Sequence, residues 1–150
     1  MSCNKSEIHK TLVSQLEDKL KQAQLDFCLA KESRDSDTKS SAGDKFETGR
    51  EMMQREMDKL HASIDTYQNQ LLKLQTLVGI KSFEIIGVGS LIETNFEKYY
   101  ISIGLGEITC SSEKVFSISS ASPIGELLMG KKLGEYIELR GRKIIIKNIS

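Results

Sequence analysis

Residues 115–139 read VFSISSASPIGELLMGKKLGEYIEL and carry, in close succession, the signals of a strand, a short helix and a second strand. Ser122 is suited to cap the helix, and Pro123 suits its first position, where no backbone amide is needed. Gly130 falls where a helix often ends in a left-handed residue. This pattern predicts one short helix over 122–130.

The residues around this helix favour strands. From Ser82 onward, Val, Ile, Tyr, Thr and Gly replace Lys, Gln and Leu, which is the composition of a small β domain. Strands are predicted over 83–94, 98–105, 114–119, 136–139 and 143–149, and the short turn RGR joins the last two into a hairpin. Leu127 and Leu128 are expected to pack the short helix against the sheet.

The preceding part of the chain is predicted to be helical. Residues 5–76 contain no proline and two glycines, and they are rich in Lys, Glu, Gln, Leu and Met, which favour helix. Apolar residues recur every three or four positions in two stripes, the pattern with which one helix packs on another. The stripes comprise Ile8, Leu12, Leu16, Leu20, Ala23, Phe27 and Ala30, and then Met53, Met57, Leu60, Ile64, Tyr67, Leu71, Leu74 and Val78.

Two such helices cover each other's stripes when they lie antiparallel. The segment RDSDTKSSAGD (34–44) is rich in Ser, Asp and Gly, and we predict that it is the loop that joins them. Asp44, with Glu47 three residues later, fits a capping box at the start of the second helix, and Ser41 offers a second register. A helix from Asp44 to Thr76 would be about 50 Å long. That length suits a helix that extends towards a distant site or one that pairs with another chain.

The sequence thus predicts an α+β chain with a helical hairpin over 1–77 and a compact β domain over 78–150. The formal net charge is zero, from 21 basic and 21 acidic residues, which argues against a generally basic protein that coats nucleic acid. No apolar run approaches the roughly 20 residues of a membrane-spanning helix. Cys3, Cys28 and Cys110 form no CxxC pair, so we expect isolated thiols, no zinc site and a reducing, cytoplasmic location.

Residues 115–139 resemble the C-terminal signature of the GreA/GreB family of bacterial transcription elongation factors. The shared pattern is a strand, Ser-Pro with an apolar residue, a short Leu-rich helix ending in Gly-Lys-Lys, and Gly-Glu at the start of the last hairpin. Residues 45–64, KFETGREMMQREMDKLHASI, are similar to the second helix of the family hairpin, with Phe46 where the family usually has Tyr. The resemblance implies an antiparallel coiled-coil hairpin followed by a small FKBP-like antiparallel β domain with one short helix.

The resemblance also implies a partner. A factor of this family binds RNA polymerase through its C-terminal domain, at the rim of the secondary channel, and inserts its hairpin towards the active centre. Ser122, Pro123 and Ile124 lie in the loop with which the family touches the polymerase. In members that stimulate RNA cleavage, two acids at the hairpin tip help to hold a second Mg²⁺, which activates water. The polymerase is then the enzyme, and contact of the factor with nascent RNA would be indirect.

The tip of the predicted hairpin departs from the family pattern. Lys39 and Ala42 stand where cleaving members have their two acids, and neither side chain binds a metal. The remaining candidate acids are Asp35, Asp37 and Asp44, of which the first two are close enough within a loop to share an ion. Each also has an ordinary explanation, a helix cap for Asp44 and a solvated loop for the other two. Metal binding is left open, and Mg²⁺ shared with the polymerase is the only cofactor that the resemblance suggests.

Three functions are compatible with the sequence. The first is a bacterial RNA polymerase-binding regulator of elongation with weak or no transcript cleavage, a monomer that is not an enzyme and binds no membrane. The second is a cleavage-stimulating factor with atypical tip acids, and the third is a coiled-coil adaptor unrelated to transcription. Basic residues also cluster near the C-terminus, and they are Lys131, Lys132, Arg140, Arg142, Lys143 and Lys147. Three interpretations of this cluster are open: contact with an acidic partner surface, contact with RNA, or exposure to solvent alone.

Overall fold

A computed structural model describes residues 4–37, 43–77 and 84–150, without the side chains of residues 37 and 43–47. Its contacts divide the chain into two units, which are described separately below. One unit is Gln15–Leu71, and the other combines Met1–Ser14 with Leu72–Ser150. The domain boundary predicted between residues 77 and 78 borders a segment outside the described residues and stays a prediction.

Two long helices of 33 residues each occupy the N-terminal half, α1 over Lys5–Asp37 and α2 over Gly43–Gln75. They are longer than predicted, because the proposed loop over 34–44 is helical at both ends. Ser and Asp lower helix stability by only a fraction of a kcal/mol per residue, about 0.7 at most. A polar composition therefore does not stop a helix at exposed positions. None of the helices within the described segments combines the length and apolar character that crossing a bilayer requires.

Within Gln15–Leu71, α1 and α2 run antiparallel. Arg34 Nη1 donates a hydrogen bond of 2.8 Å to Gln54 Oε1, and the ring centroids of Phe27 and His61 are 6.5 Å apart. The second contact lies seven residues earlier in α1 and seven later in α2 (34 to 27, 54 to 61), which defines the antiparallel register. The described members of both predicted stripes are buried or half-buried, so the stripes are confirmed.

The other unit contains a sheet and a short helix. The strands are β1 (Leu91–Thr94), β2 (Lys98–Ile101), β3 (Gly106–Cys110), β4 (Glu113–Ile118), β5 (Tyr136–Leu139) and β6 (Arg142–Ile149), and helix α3 (Pro123–Leu128) lies between β4 and β5. The six strands have the spatial order β3-β4-β2-β1-β6-β5. Neighbours are antiparallel except β2 and β4, which are parallel. The α+β class is thus confirmed, with a sheet that is mostly rather than wholly antiparallel.

The strand predicted over 83–94 is the largest error in the β unit, since only Leu91–Thr94 forms a regular strand. Ile85 makes an isolated bridge to Lys132, and Gly89 has a φ of 96°. That backbone conformation is open to glycine but rare for other residues. The glycine-rich segment therefore turns before β1 begins.

Two hairpins are joined by two-residue turns in which both residues have positive φ. Ser111 (φ 48°) and Ser112 (φ 67°) connect β3 to β4, and Arg140 (φ 53°) and Gly141 (φ 77°) connect β5 to β6. This turn geometry matches the right-handed twist of the flanking strands. The β5–β6 hairpin is confirmed, whereas β3 was not predicted.

The β unit has a core into which α3 inserts one leucine. The core comprises Ile86, Ile92, Tyr99, Ile101, Leu128, Ile137, Ile144 and Ile146. Leu128 is fully buried, whereas Leu127 is 38% exposed. Because neighbouring positions on a helix point in different directions, the predicted packing of α3 is right for Leu128 and wrong for Leu127.

The first turns of α1 belong to the same unit as the sheet. Lys5 Nζ donates to the Ser150 carbonyl at 3.1 Å, and Ser111 Oγ donates to Glu7 Oε2 at 3.3 Å. Ile8 and Leu12, which follow Lys5 and Glu7 in the chain, are fully buried. Burial lowers the pKa of the Lys5 ammonium. The two hydrogen bonds therefore link the first turns of α1 to residues at the ends of strands.

Gly125 is required by close packing rather than by its backbone angles. A methyl group added to it would overlap the Ser119 carbonyl oxygen. We therefore expect Gly125→Ala to lower the free energy of unfolding by about 1–3 kcal/mol, the usual cost of overpacking. Gly104→Ala is the control, since its added methyl group would meet no atom within 4 Å. Urea denaturation of both variants tests this, and equal stabilities would contradict the packing argument.

Candidate functional site

The predicted loop Ser122-Pro123-Ile124 forms the start of α3. Ser122 has an extended backbone, and its Oγ accepts the Gly125 N–H at 3.1 Å while donating to the Ser119 carbonyl at 2.7 Å. The Ser122 carbonyl accepts the Glu126 N–H at 2.8 Å. The predicted helix cap is confirmed, and the hydroxyl is held by a bond on each side.

Pro123 and Ile124 differ in what they offer to a partner. Pro123 is exposed at the first helical position, whereas Ile124 is half-buried and packs against the core of the β unit. Pro123 is thus available for contact, and Ile124 also stabilises the fold. The predicted role of all three residues in binding a partner stays a prediction.

Further apolar side chains are exposed in or near α3. Leu127, Met129 and Leu133 are 38%, 36% and 61% exposed. Their exposure was not predicted from the sequence. The available signal was that Leu127 and Leu128 are adjacent, because neighbouring residues on a helix point in different directions. These residues, together with Pro123, are called the α3 surface below.

The C-terminal end of α3 is tied to the segment that precedes β1. Gly130, with a φ of 81°, donates its N–H to the Ile86 carbonyl at 3.0 Å, and the Ile86 N–H donates to the Lys131 carbonyl at 2.9 Å. The left-handed residue predicted at this position is confirmed. Both ends of α3 are therefore fixed by hydrogen bonds, and the α3 surface is presented by a rigid turn.

The candidate acids of the tip are helical rather than in a loop. Asp35 is exposed in the last turn of α1, and its Oδ1 lies 3.1 Å from Arg34 Nη2. Asp37 ends α1 and Asp44 follows the first residue of α2, and their side chains lie outside the description. Positions two apart on a helix do not face each other, so the loop geometry invoked for a shared ion is not found. A metal role for these acids stays a prediction.

Other parts of the predicted tip are only partly described. Lys39, Ser41 and Ala42 lie outside the described residues, and α2 begins at Gly43, one residue before the predicted cap Asp44. Within residues 4–37, 43–77 and 84–150, no three His, Cys, Asp or Glu side chains come together in a way that could hold a metal ion.

The cysteines differ from the prediction. Cys28 is exposed and free, whereas Cys110 is buried and disulfide-bonded. The prediction of isolated thiols is therefore right for Cys28 and wrong for Cys110. A cytoplasmic location stays a prediction.

Within the basic cluster, Arg142 contacts two neighbouring side chains. Arg142 Nη2 lies 3.4 Å from Glu97 Oε1, and its guanidinium lies 3.9 Å above the ring centroid of Phe96. Glu97 also accepts a hydrogen bond of 2.7 Å from the Tyr99 hydroxyl. Burial, and next this hydrogen bond, raise the pKa of Tyr99 far above its ordinary value. The phenol therefore stays neutral and acts as a donor.

A polar cavity of about 350 Å³ lies between the start of α1 and the strands. It is lined by Asn4, Leu91, Glu93, Lys98, Glu113, Asn148 and Ser150. Lys98 Nζ and Glu113 Oε2 form an ion pair of 2.9 Å in its wall. This pair joins β2 to the start of β4. None of the lining residues was predicted to form a site.

Because the Ser122 hydroxyl caps α3, its removal should destabilise the β unit. We expect Ser122→Ala to lower the free energy of unfolding by about 1 kcal/mol. Ser122→Thr keeps the hydroxyl and should retain most of the stability. Denaturant titrations of the two variants check this, and an unchanged stability of Ser122→Ala would show that the cap is not needed.

The comparisons with known proteins give one informative match. No family model matches the chain, and no solved structure matches it significantly. Among curated proteins, the transcription elongation factor GreA of Thermosipho melanesiensis is 30% identical over 97 residues, which cover 61% of this chain and 60% of that protein. The chain thus spans less than two thirds of that relative's length. Together with the helical hairpin and the β unit, the match confirms the predicted resemblance of this chain to the GreA/GreB family of transcription elongation factors.

Proposed function

We propose that this chain is a cytoplasmic, RNA polymerase-binding regulator of bacterial transcription elongation. The observation that carries the proposal is the match to a GreA protein in a chain built of a helical hairpin followed by a β unit. The chain is then a factor that acts on an enzyme and is not an enzyme itself.

In this proposal the α3 surface docks on the polymerase at the rim of its secondary channel. Exposed apolar side chains on a rigid turn suit the centre of an interface, where a few well-packed residues contribute most of the affinity. Pro123 and Leu133 are exposed, and hydrogen bonds at both ends fix the backbone of α3. The hairpin would enter the channel, since a helix of 33 residues is about 50 Å long.

Weak or absent transcript cleavage is part of the proposal. Lys39 and Ala42 occupy the positions of the two acids of cleaving factors, and neither supplies an oxygen ligand from its side chain. The carboxylate of Asp35 is already engaged by Arg34 at 3.1 Å. A Mg²⁺ ion shared with the polymerase therefore has few ligands here. Cleavage through atypical tip acids remains the second proposal, to be tested directly.

The contacts between α1 and α2 favour a monomer over an adaptor that pairs between chains. The Arg34–Gln54 hydrogen bond and the Phe27–His61 contact both form within one chain. Because α1 and α2 cover each other's stripes, the helices need no second chain for this purpose.

The first experiment uses stalled, backtracked elongation complexes of the cognate RNA polymerase with Mg²⁺. We expect the full chain to bind and the RNA 3′ end to stay intact. Pro123→Glu should weaken binding about tenfold or more, as expected for the centre of an interface. The variant should fold normally, because Glu suits the first turn of a helix. Thr109→Glu, which puts the same charge on exposed β3, is the control.

The outcomes of this experiment separate the three functions. Failure to bind polymerase would favour the adaptor. Shortening of the RNA that is lost in Asp35→Asn would favour the second proposal. Equal weakening by Pro123→Glu and Thr109→Glu would show that the α3 surface is not the docking site.

Restoring the missing acids gives a positive test of the tip. We expect Lys39→Asp combined with Ala42→Glu to produce Mg²⁺-dependent RNA cleavage in the same complexes, because the pair would supply carboxylates for the second metal ion. Lys39→Asn with Ala42→Gln, of matched size but without charge, should remain inactive. Inactivity of both double variants would place the defect elsewhere than in the tip residues.

A further inference from the structure

We propose that the outer face of the β5–β6 hairpin binds single-stranded nucleic acid, with Tyr136 as a stacking platform and neighbouring basic side chains meeting the phosphates. The outer face is defined by Tyr136 and Glu138 of β5 and by Lys143, Ile145 and Lys147 of β6. This site is distinct from the α3 surface and does not require the polymerase.

The backbone register brings the outer face together. Tyr136 lies opposite Ile145, and Glu138 lies opposite Lys143. Ile137 belongs to the buried core cluster, so the residues that alternate with it face away from the core. Tyr136 is 50% exposed and Ile145 is 37% exposed. The aromatic ring and the aliphatic side chain thus form one exposed apolar strip on the sheet.

A cation lies directly beside the ring. Lys143 Nζ is 4.2 Å from the ring centroid of Tyr136. Such a contact is weak at an exposed site, so a base can displace the ammonium from the aromatic face. A base can stack on an exposed aromatic ring, and an ammonium within a few ångströms meets the phosphate that follows it. The pair therefore offers both contacts that a nucleotide unit requires.

The charge of the hairpin supports an anionic ligand. Between positions 136 and 149 the chain has four basic residues and one acidic residue, Glu138, a net charge of +3 in a chain whose total is zero. The basic residues are Arg140, Lys143 and Lys147, together with Arg142, which is already paired with Glu97. An acidic protein surface would satisfy this charge but would leave the role of the exposed ring unexplained. A single strand of nucleic acid uses both features.

The test measures fluorescence anisotropy of labelled oligo(U) RNA and oligo(dT) DNA of about 12 nucleotides, titrated with the full chain at several salt concentrations. Tyr136→Leu should weaken binding about tenfold, because a stacked base loses its aromatic partner. Lys143→Gln should reduce the slope of log K against log salt by about 0.7 per lost phosphate contact. Lys114→Gln is the matched control, since that side chain is 74% exposed on β4, outside the hairpin.

Binding of either oligonucleotide with these effects supports the proposal, and the ratio of the two affinities tells whether the ribose hydroxyl contributes. Failure to bind either oligonucleotide would overturn the proposal, and so would an equal loss of affinity in Lys114→Gln and Lys143→Gln. The proposal would also be wrong if polyglutamate displaced the oligonucleotide and Tyr136→Leu left the affinity unchanged. Ile145→Thr, a swap between β-branched residues, is a second variant of the strip and should also weaken binding. Circular dichroism confirms that each variant is folded.

Discussion

Each of the two long helices carries an apolar stripe that it cannot bury by itself, and an isolated amphipathic helix is marginal in water. The chain meets this constraint in two ways. Between Gln15 and Leu71, the helices cover each other in an antiparallel pair. At their other ends, the fully buried Ile8, Leu12 and Leu74 belong to the unit that contains the sheet. The stripe residues are therefore buried within both units, each of which covers its own part of the two helices.

The α3 turn shows how a very short helix can present a surface. Six residues are too few for stability from backbone hydrogen bonds alone. The turn depends instead on the Ser122 cap, the close approach of Gly125 to the Ser119 carbonyl, the buried Leu128 and the bond from Gly130 to Ile86. Because these contacts fix the backbone of α3, the turn would lose little conformational entropy when a partner binds.

The features that the sequence predicted correctly are those with a local physical cause. The Ser122 cap, the left-handed Gly130 and the β5–β6 turn each follow from the chemistry of one or two residues. The stripes follow from helical periodicity. Local composition misled at the predicted loop over 34–44, because exposed Ser and Asp residues are tolerated in a helix.

The remaining errors depend on distant contacts. The parallel pairing of β2 with β4 cannot be read from either strand, since another strand lies between them in the chain. β3 is recognised only by its partner, because its short sequence GEITC is weakly apolar. In the candidate site, the cap was predictable from Ser122, whereas the exposure of Leu127 depends on which face of α3 meets the core.

The position of β6 has a consequence for synthesis. β6 is the last strand in the sequence, yet it lies between β1 and β5 inside the sheet, and Leu91 and Ser150 exchange two hydrogen bonds of 2.9 Å. A nascent chain can close its helical hairpin early, but it cannot complete the sheet until residues 142–149 have left the ribosome. Until then the edge of β1 opposite β2 has no partner strand and can pair wrongly with another chain. Loss of residues 146–149 would therefore separate β1 from β6 inside the sheet and would not merely shorten an edge strand.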